Sequence, residues 1–304
     1  MDRQTRAYYE LLFKVAYMEK RGNAFQDLFS EIMEKCHPGD FQRVRPWGRD
    51  GDKKNDGYLR SSRALFQVYA PNEMTASDAI AKIDEDFYGA LDYWRHDFDK
   101  WVFVHNAKDG LGPHIVKKIN ELTTLHRPII IGSWGFEELR RKIFNLPEVD
   151  LAPLLGGYAP STGDMQELRY ENIKEVLTNI ARQDLSPFQD IRPVPPDKLK
   201  FNRLSEDTQT LLTWGMQKAD LVGNFFNNHP DPQYGDEIAS AFNEQYRQCK
   251  ELDMEADTIF FELQKFAAGQ DLKPPRYQAA VLAVLAYLFE QCEIFERSSG
   301  EVIV

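Results

Sequence analysis

Residues able to do chemistry are concentrated between Arg49 and Pro71 of this 304-residue chain, in RDGDKKNDGYLRSSRALFQVYAP. Asp50, Asp52 and Asp56 cluster with Asn55 in one short loop, Lys53 and Lys54 stand among them, and Gln67 and Tyr69 follow on a β-rich run. Carboxylate and amide oxygens are the hard ligands that Mg²⁺ takes. Hydrolysis of a phosphodiester on such a metal also needs a positioned water and usually a lysine to offset developing charge. Asp56 and Gln67 carry such oxygens on successive elements, and Lys54 and Tyr69 stand close to them in sequence. Gln67 and Tyr69 are two apart, so in a strand both point to one face. A tyrosine phenol is neutral at pH 7, so any fixed positive charge has to come from Lys53 or Lys54. The same residues also read as ordinary structure: Asp56-Gly57 as a turn, Gln67 and Tyr69 as strand positions, Glu31 as a solvated helix residue.

The surrounding pattern supplies elements for these residues. Residues 1–20 have helical spacing, and a second helix over Ala24 to Cys36 puts Phe25, Leu28, Phe29, Ile32 and Met33 on one stripe, with Glu31 beside it. Phe41 to Trp47 alternates like a strand, Asp56 opens a second, Ser61-Ser62 turns, and Ala64 to Ala70 is a third, giving a β-meander. A helix capped by Ser77 carries Ile80, Ile83, Phe87, Leu91 and Trp94 at three- and four-residue steps, and Asp84-Glu85-Asp86 reads as its solvated face. Trp101 to Val104 is a short apolar strand ending in His105-Asn106. Pro113 opens a helix through Leu125, Pro128 to Ile131 is a buried strand, and Phe136 to Phe144 a helix. Short apolar strands joined by crossover helices imply parallel pairing beside the antiparallel meander. One helix is expected over Met165 to Ile180 and a proline-rich linker over residues 186–200. From Leu204 the pattern is helical: Ser205 caps Glu206 to Met216, and further helices span Gly235–Leu252, Ala256–Ala268 and Arg276–Phe295. The last is apolar on nearly all sides, with Ala279, Ala283 and Ala286 as a small-residue face for close helix contact.

Composition narrows the function classes. The net charge of −11 argues against a broad non-specific nucleic-acid surface, although Arg43 to Lys54 holds five Lys or Arg. Three scattered cysteines (Cys36, Cys249, Cys292) argue against a disulfide scaffold or structural zinc and fit a reducing cytoplasm. The N-terminus has no apolar leader pattern, and the apolar run Ala279 to Phe289 is too short to span a bilayer.

The segment GDKKNDGYLRSSRALFQVYAP, with AFQDLFSEIMEK before it, resembles the restriction-endonuclease-like (PD-(D/E)XK superfamily) domains of bacterial conflict systems. It is most similar to the variant in which the final lysine of the motif is replaced within a Q-V-Y-A-P strand. That resemblance covers residues 20–145. It implies an acid at a strand start (Asp56), a glutamine on the next strand (Gln67) and a glutamate from the preceding helix (Glu31) as the candidate ligands for Mg²⁺, with Mn²⁺ as the alternative, and Asp56, Gln67, Lys54 and Tyr69, which stands in the lysine place, as the candidate catalytic residues. Residues 195–296, including VPPDKLKFNRLSEDTQTLLTWGMQKADLVGNFF and RYQAAVLAVLAYLFEQCEIFE, resemble the helical C-terminal domain of ABC three-component systems. The second resemblance implies docking to an ABC-type ATPase and a small middle protein.

The expected architecture is an α/β restriction-endonuclease-like domain with a mixed sheet flanked by helices over residues 1–185, a linker over 186–200, and an all-α partner-docking domain over 201–304 that carries the contacts to the ATPase and the middle protein. An oligomer in the cytoplasm is expected. Two functions stay open. One is a metal-dependent nuclease of an anti-phage or anti-plasmid defence complex, released by its ATPase partner. The other is an inactive nuclease-fold module that binds nucleic acid, nucleotide or partner as an adaptor.

Overall fold

The meander and the crossovers are both present. The computed structural model describes residues 1–44, 54–181, 202–269, 273–291 and 294–295. It divides into two compact units, Ala16–Leu154 and, together, Met1–Val15 with Leu155–Val304. The expected linker, residues 186–200, lies outside the described residues.

In the first unit, helix α2 (Gly22–Cys36) leads into strand β1 (Phe41–Arg43), β2 (Gly57–Leu59) and β3 (Ala64–Tyr69). After β3 come helix α3 (Ala76–Trp94), β4 (Lys100–His105), α4 (Pro113–Leu125), β5 (Ile130–Trp134) and α5 (Phe136–Ile143). The sheet order is β1-β2-β3-β4-β5, antiparallel through β3 and parallel from β3 to β5. This is the mixed sheet expected, because the short turn after β2 folds the chain straight back whereas α3 and α4 return it to the same end. Strand alternation splits the core. Leu65, Trp101 and Phe103 meet Ile83 and Phe87 of α3 and Ile119 of α4 on one face. On the other, Phe66 packs with Phe29 of α2, Phe41 and Trp134. Gly57 is required where it stands, since a Cβ would come within 2.3 Å of the Phe41 ring.

Several boundaries differ from expectation. Thr75, not Ser77, caps α3: its backbone is extended and its side chain accepts from the Asp78 amide. The strand expected at Pro128–Ile131 sits two residues later, at the open edge of the sheet, and Ile130 is exposed rather than buried. Of the strand expected over Phe41–Trp47, residues beyond Val44 lie outside the described residues.

The second unit is helical. It takes the start of α1 (Arg3–Glu19), then α6 (Glu148–Leu155) from its last residue, α7 (Thr162–Gln166) and α8 (Tyr170–Ala181). The single helix expected over Met165–Ile180 is thus two, because Ser161 and Asp164 form a capping box that starts α7 early and the chain turns before Tyr170. Helices α9 (Glu206–Met216), α10 (Ala219–Asn227), α11 (Tyr234–Glu251), α12 (Ala256–Ala268) and α13 (Pro275–Glu290) follow. Helix α13 is buried on almost every side, from Tyr277 to Phe289. Its small-residue face receives α9 so closely that a Cβ on Gly215 would stand 2.3 Å from the Leu282 carbonyl oxygen and 2.9 Å from the Ala286 Cβ. Asp257 at the start of α12 ties three segments. It accepts from Lys14 Nζ at 2.6 Å, the Ser205 amide at 3.0 Å and Thr208 Oγ1 at 2.8 Å. Burial pushes its pKa up, but these three donors outweigh burial and hold it below the usual carboxylate range.

Candidate functional site

Asp56 lies just before β2, where the meander brings it beside β3. Its amide donates to the Phe66 carbonyl at 2.9 Å, and its own carbonyl accepts from the Val44 amide at 3.3 Å. The side chain is 4% exposed. Oδ2 accepts from the Val68 amide at 2.7 Å, and Oδ1 accepts from Gln26 Nε2 at 2.6 Å. The carboxylate therefore fastens the Asp56 loop to β3 and to the first turns of α2. Asn55, fully buried beside it, accepts from the Gly57 amide at 3.0 Å.

The helix α2 partner is thus Gln26, whereas Glu31 is exposed. Five residues along an α-helix rotate the side chain by about 140°, so a helix that turns Gln26 to Asp56 turns Glu31 elsewhere. Glu31 shares its stripe with Asp27 and Glu34, whose carboxylates bind Arg43 of β1 at 2.9 and 3.1 Å. The fold brings Asp56 and β3 together and leaves Glu31 on the solvent side of α2.

Gln67 is 4% exposed on β3, and its Oε1 has no hydrogen-bond partner among the described residues. Tyr69 shares its face and leans on Phe103, ring centroids 5.8 Å apart. Burial raises the Tyr69 phenol, the nearby Asp78 carboxylate adds to this, and Lys82 opposes it. In the parallel register Tyr69 stands beside His105. His105 is buried, its Nδ1 accepts from the Ala107 amide, and burial pushes its pKa down to about 4. It is a neutral, structural imidazole at the strand end, forming the turn that a strand-end His-Asn pair suggests.

Lys54, the candidate cation, is directed to α3. Its Nζ bonds Glu85 and lies 3.3 Å from Asp86 Oδ1, which also takes Lys82 Nζ at 2.9 Å. The bond to Glu85, above all, raises the Lys54 pKa. Asp86 is completely buried, which corrects the expectation of a solvated Asp84-Glu85-Asp86 face. Burial raises its pKa, and the two lysines counter this in part. Asp78, Lys82 and Asp86 recur at four-residue steps, one polar stripe of α3 running beside its apolar one. Gln26, Lys82 and Asp86 are the residues that sequence reasoning missed. The stripe spacing of α3 was the available signal for two of them; nothing marked Gln26.

The described donors fit Mg²⁺ poorly. The ion is usually held by one or two carboxylates with room for several waters. Here one buried carboxylate already takes a short hydrogen bond on each oxygen, and no group of three His, Cys, Asp or Glu side chains suited to a metal occurs among the described residues. Asp50, Asp52 and Lys53 lie outside them.

Residues 171–296 match the family model of C-terminal domain 10 of the ABC-three component (ABC-3C) systems. That stretch is thus similar to the C-terminal domain of a component of these systems. No curated protein and no solved structure matches the chain. Among the described residues no helix is long and apolar enough to cross a membrane.

Proposed function

We propose that the chain is an adaptor of its defence complex. Helices of residues 171–296 dock it to an ABC-type ATPase and a small middle component, and the α/β unit is a nuclease-fold module that does not hydrolyse its ligand. The observation that carries this reading is the state of Asp56. A metal-holding carboxylate needs open lone pairs toward solvent or substrate; this one spends both oxygens on Gln26 and Val68 inside the sheet margin. The rest of the motif agrees, since Tyr69 packs on Phe103 and Lys54 is drawn to the acids of α3. The test is calorimetric titration of Mg²⁺ and Mn²⁺ into the full chain. The adaptor reading expects no binding heat that Asp56→Asn removes. An Asp56-dependent, one-to-one binding isotherm contradicts it.

A second reading rests on one observation, the buried Gln67 Oε1 without a donor. An amide oxygen without a donor, on the strand whose backbone bonds Asp56, is a ligand that a metal-dependent nuclease could offer its ion. In that case Asp56 and Gln67 would hold Mg²⁺ or Mn²⁺, which would polarise a phosphodiester when bound. Asp56 would first have to release Gln26.

A further inference from the structure

The helical unit contains a cleft of about 760 Å³. Its size falls within the roughly 300–1,000 Å³ of small-molecule sites. Three glutamines on three helices converge on it: Gln245 of α11, Gln264 of α12 and Gln278 of α13. Gln264 is 4% exposed, and its Nε2 has no hydrogen-bond acceptor among the described residues. Leaving a buried amide donor unmade is costly, which points to an acceptor that arrives from outside the chain. Buried Tyr8 of α1 brings a hydroxyl to the same cleft.

The other walls narrow the chemistry. The charged residues lining the cleft, Glu262 and Lys265, pair with each other at 2.6 Å, and Lys265 lies over the Phe261 ring. No unpaired charge is offered to a ligand by the described lining. Phe261 and Tyr8 supply aromatic surface. Gly156 and Gly269, both with positive φ, supply walls without side chains. Glutamine carries a donor and an acceptor side by side, and amide side chains pair with the donor–acceptor edge of a base, while aromatic side chains stack on its face.

We propose that this cleft binds a neutral, planar ligand with a donor–acceptor edge, the chemistry of a nucleobase. Recognition is by the glutamine amides and does not involve phosphate. The test is thermal unfolding of the full chain with adenosine, guanosine, cytidine or uridine. At about 1 mM, at least one nucleoside raises Tm by about 2–4 °C. Gln264→Leu keeps or raises the ligand-free Tm, since it removes an unsatisfied buried amide, and loses the nucleoside shift. Gln278→Leu, on a different helix, loses the shift as well and serves if the first variant does not fold. The corresponding 5′-monophosphate binds no more tightly than the nucleoside. Absence of a shift with all four nucleosides overturns the proposal. So does a shift that survives in both variants, or a monophosphate that binds tenfold more tightly.

Discussion

Asp56 is held as a structural tie, and that makes its removal a stability experiment before it is an activity experiment. Truncation to alanine strands the Val68 amide and the Gln26 amide in a buried margin. We expect Asp56→Ala to lower the unfolding free energy by about 2–4 kcal/mol in urea titration; a change within experimental error would show that the carboxylate is not holding the loop. His105 gives a pH signature. Its folded pKa of about 4 is below the unfolded value of roughly 6.5, so its contribution is complete above pH 6.5 and is lost as pH falls toward 4. The full loss is about 3 kcal/mol. His37, lowered mainly by burial, works in the same direction, so the comparison is with His105→Gln, which should flatten part of the stability decline between pH 6.5 and 5. An unchanged profile in that variant would remove His105 as the cause. At this scale the sequence was partly legible. Asp56 beside the Gln67 strand followed from the order of strand and turn. Gln26 did not, because an uncharged glutamine leaves no pattern, and Asp86 was marked only by its four-residue spacing from Asp78 and Lys82, since three successive acids otherwise look alike until packing decides which one α3 turns inward.

Elements were easier to read where periodicity carried the signal. The small-residue face of α13 was visible as Ala279, Ala283 and Ala286, and Gly215 of α9 is what it receives. Gly215→Val places side-chain atoms where the Leu282 carbonyl already stands. It should cost about 2 kcal/mol or more, as overpacking does, read as a drop in the urea midpoint; a tolerated valine would mean the two helices can separate freely. The β-meander and the parallel crossovers were legible for the same reason, each strand being a short apolar run between turn residues. What failed was local. The start of α3 and the division into α7 and α8 depend on which of several polar residues captures a backbone amide, and Thr75 and Ser161 won over equally plausible neighbours.

For the whole molecule, the family match from residue 171 and the grouping of residues 155–304 with the first turns of the chain both tie the helical part together. A chain lacking residues 202–304 should fail to co-elute with the ATPase and middle component on size exclusion, while Asp56→Asn co-elutes like the wild type. Retained co-elution of the truncated chain would place docking elsewhere. Of the features on which the adaptor reading rests, only Tyr69 was legible in the sequence; burial of Asp56 and the capture of Lys54 by α3 needed tertiary structure. The most direct test of the adaptor reading is cleavage of labelled single- and double-stranded DNA and RNA by the assembled complex with ATP and Mg²⁺ or Mn²⁺, wild type against Asp56→Asn. The account predicts the same background in both. Metal-dependent cleavage by the wild type that Asp56→Asn abolishes would contradict it.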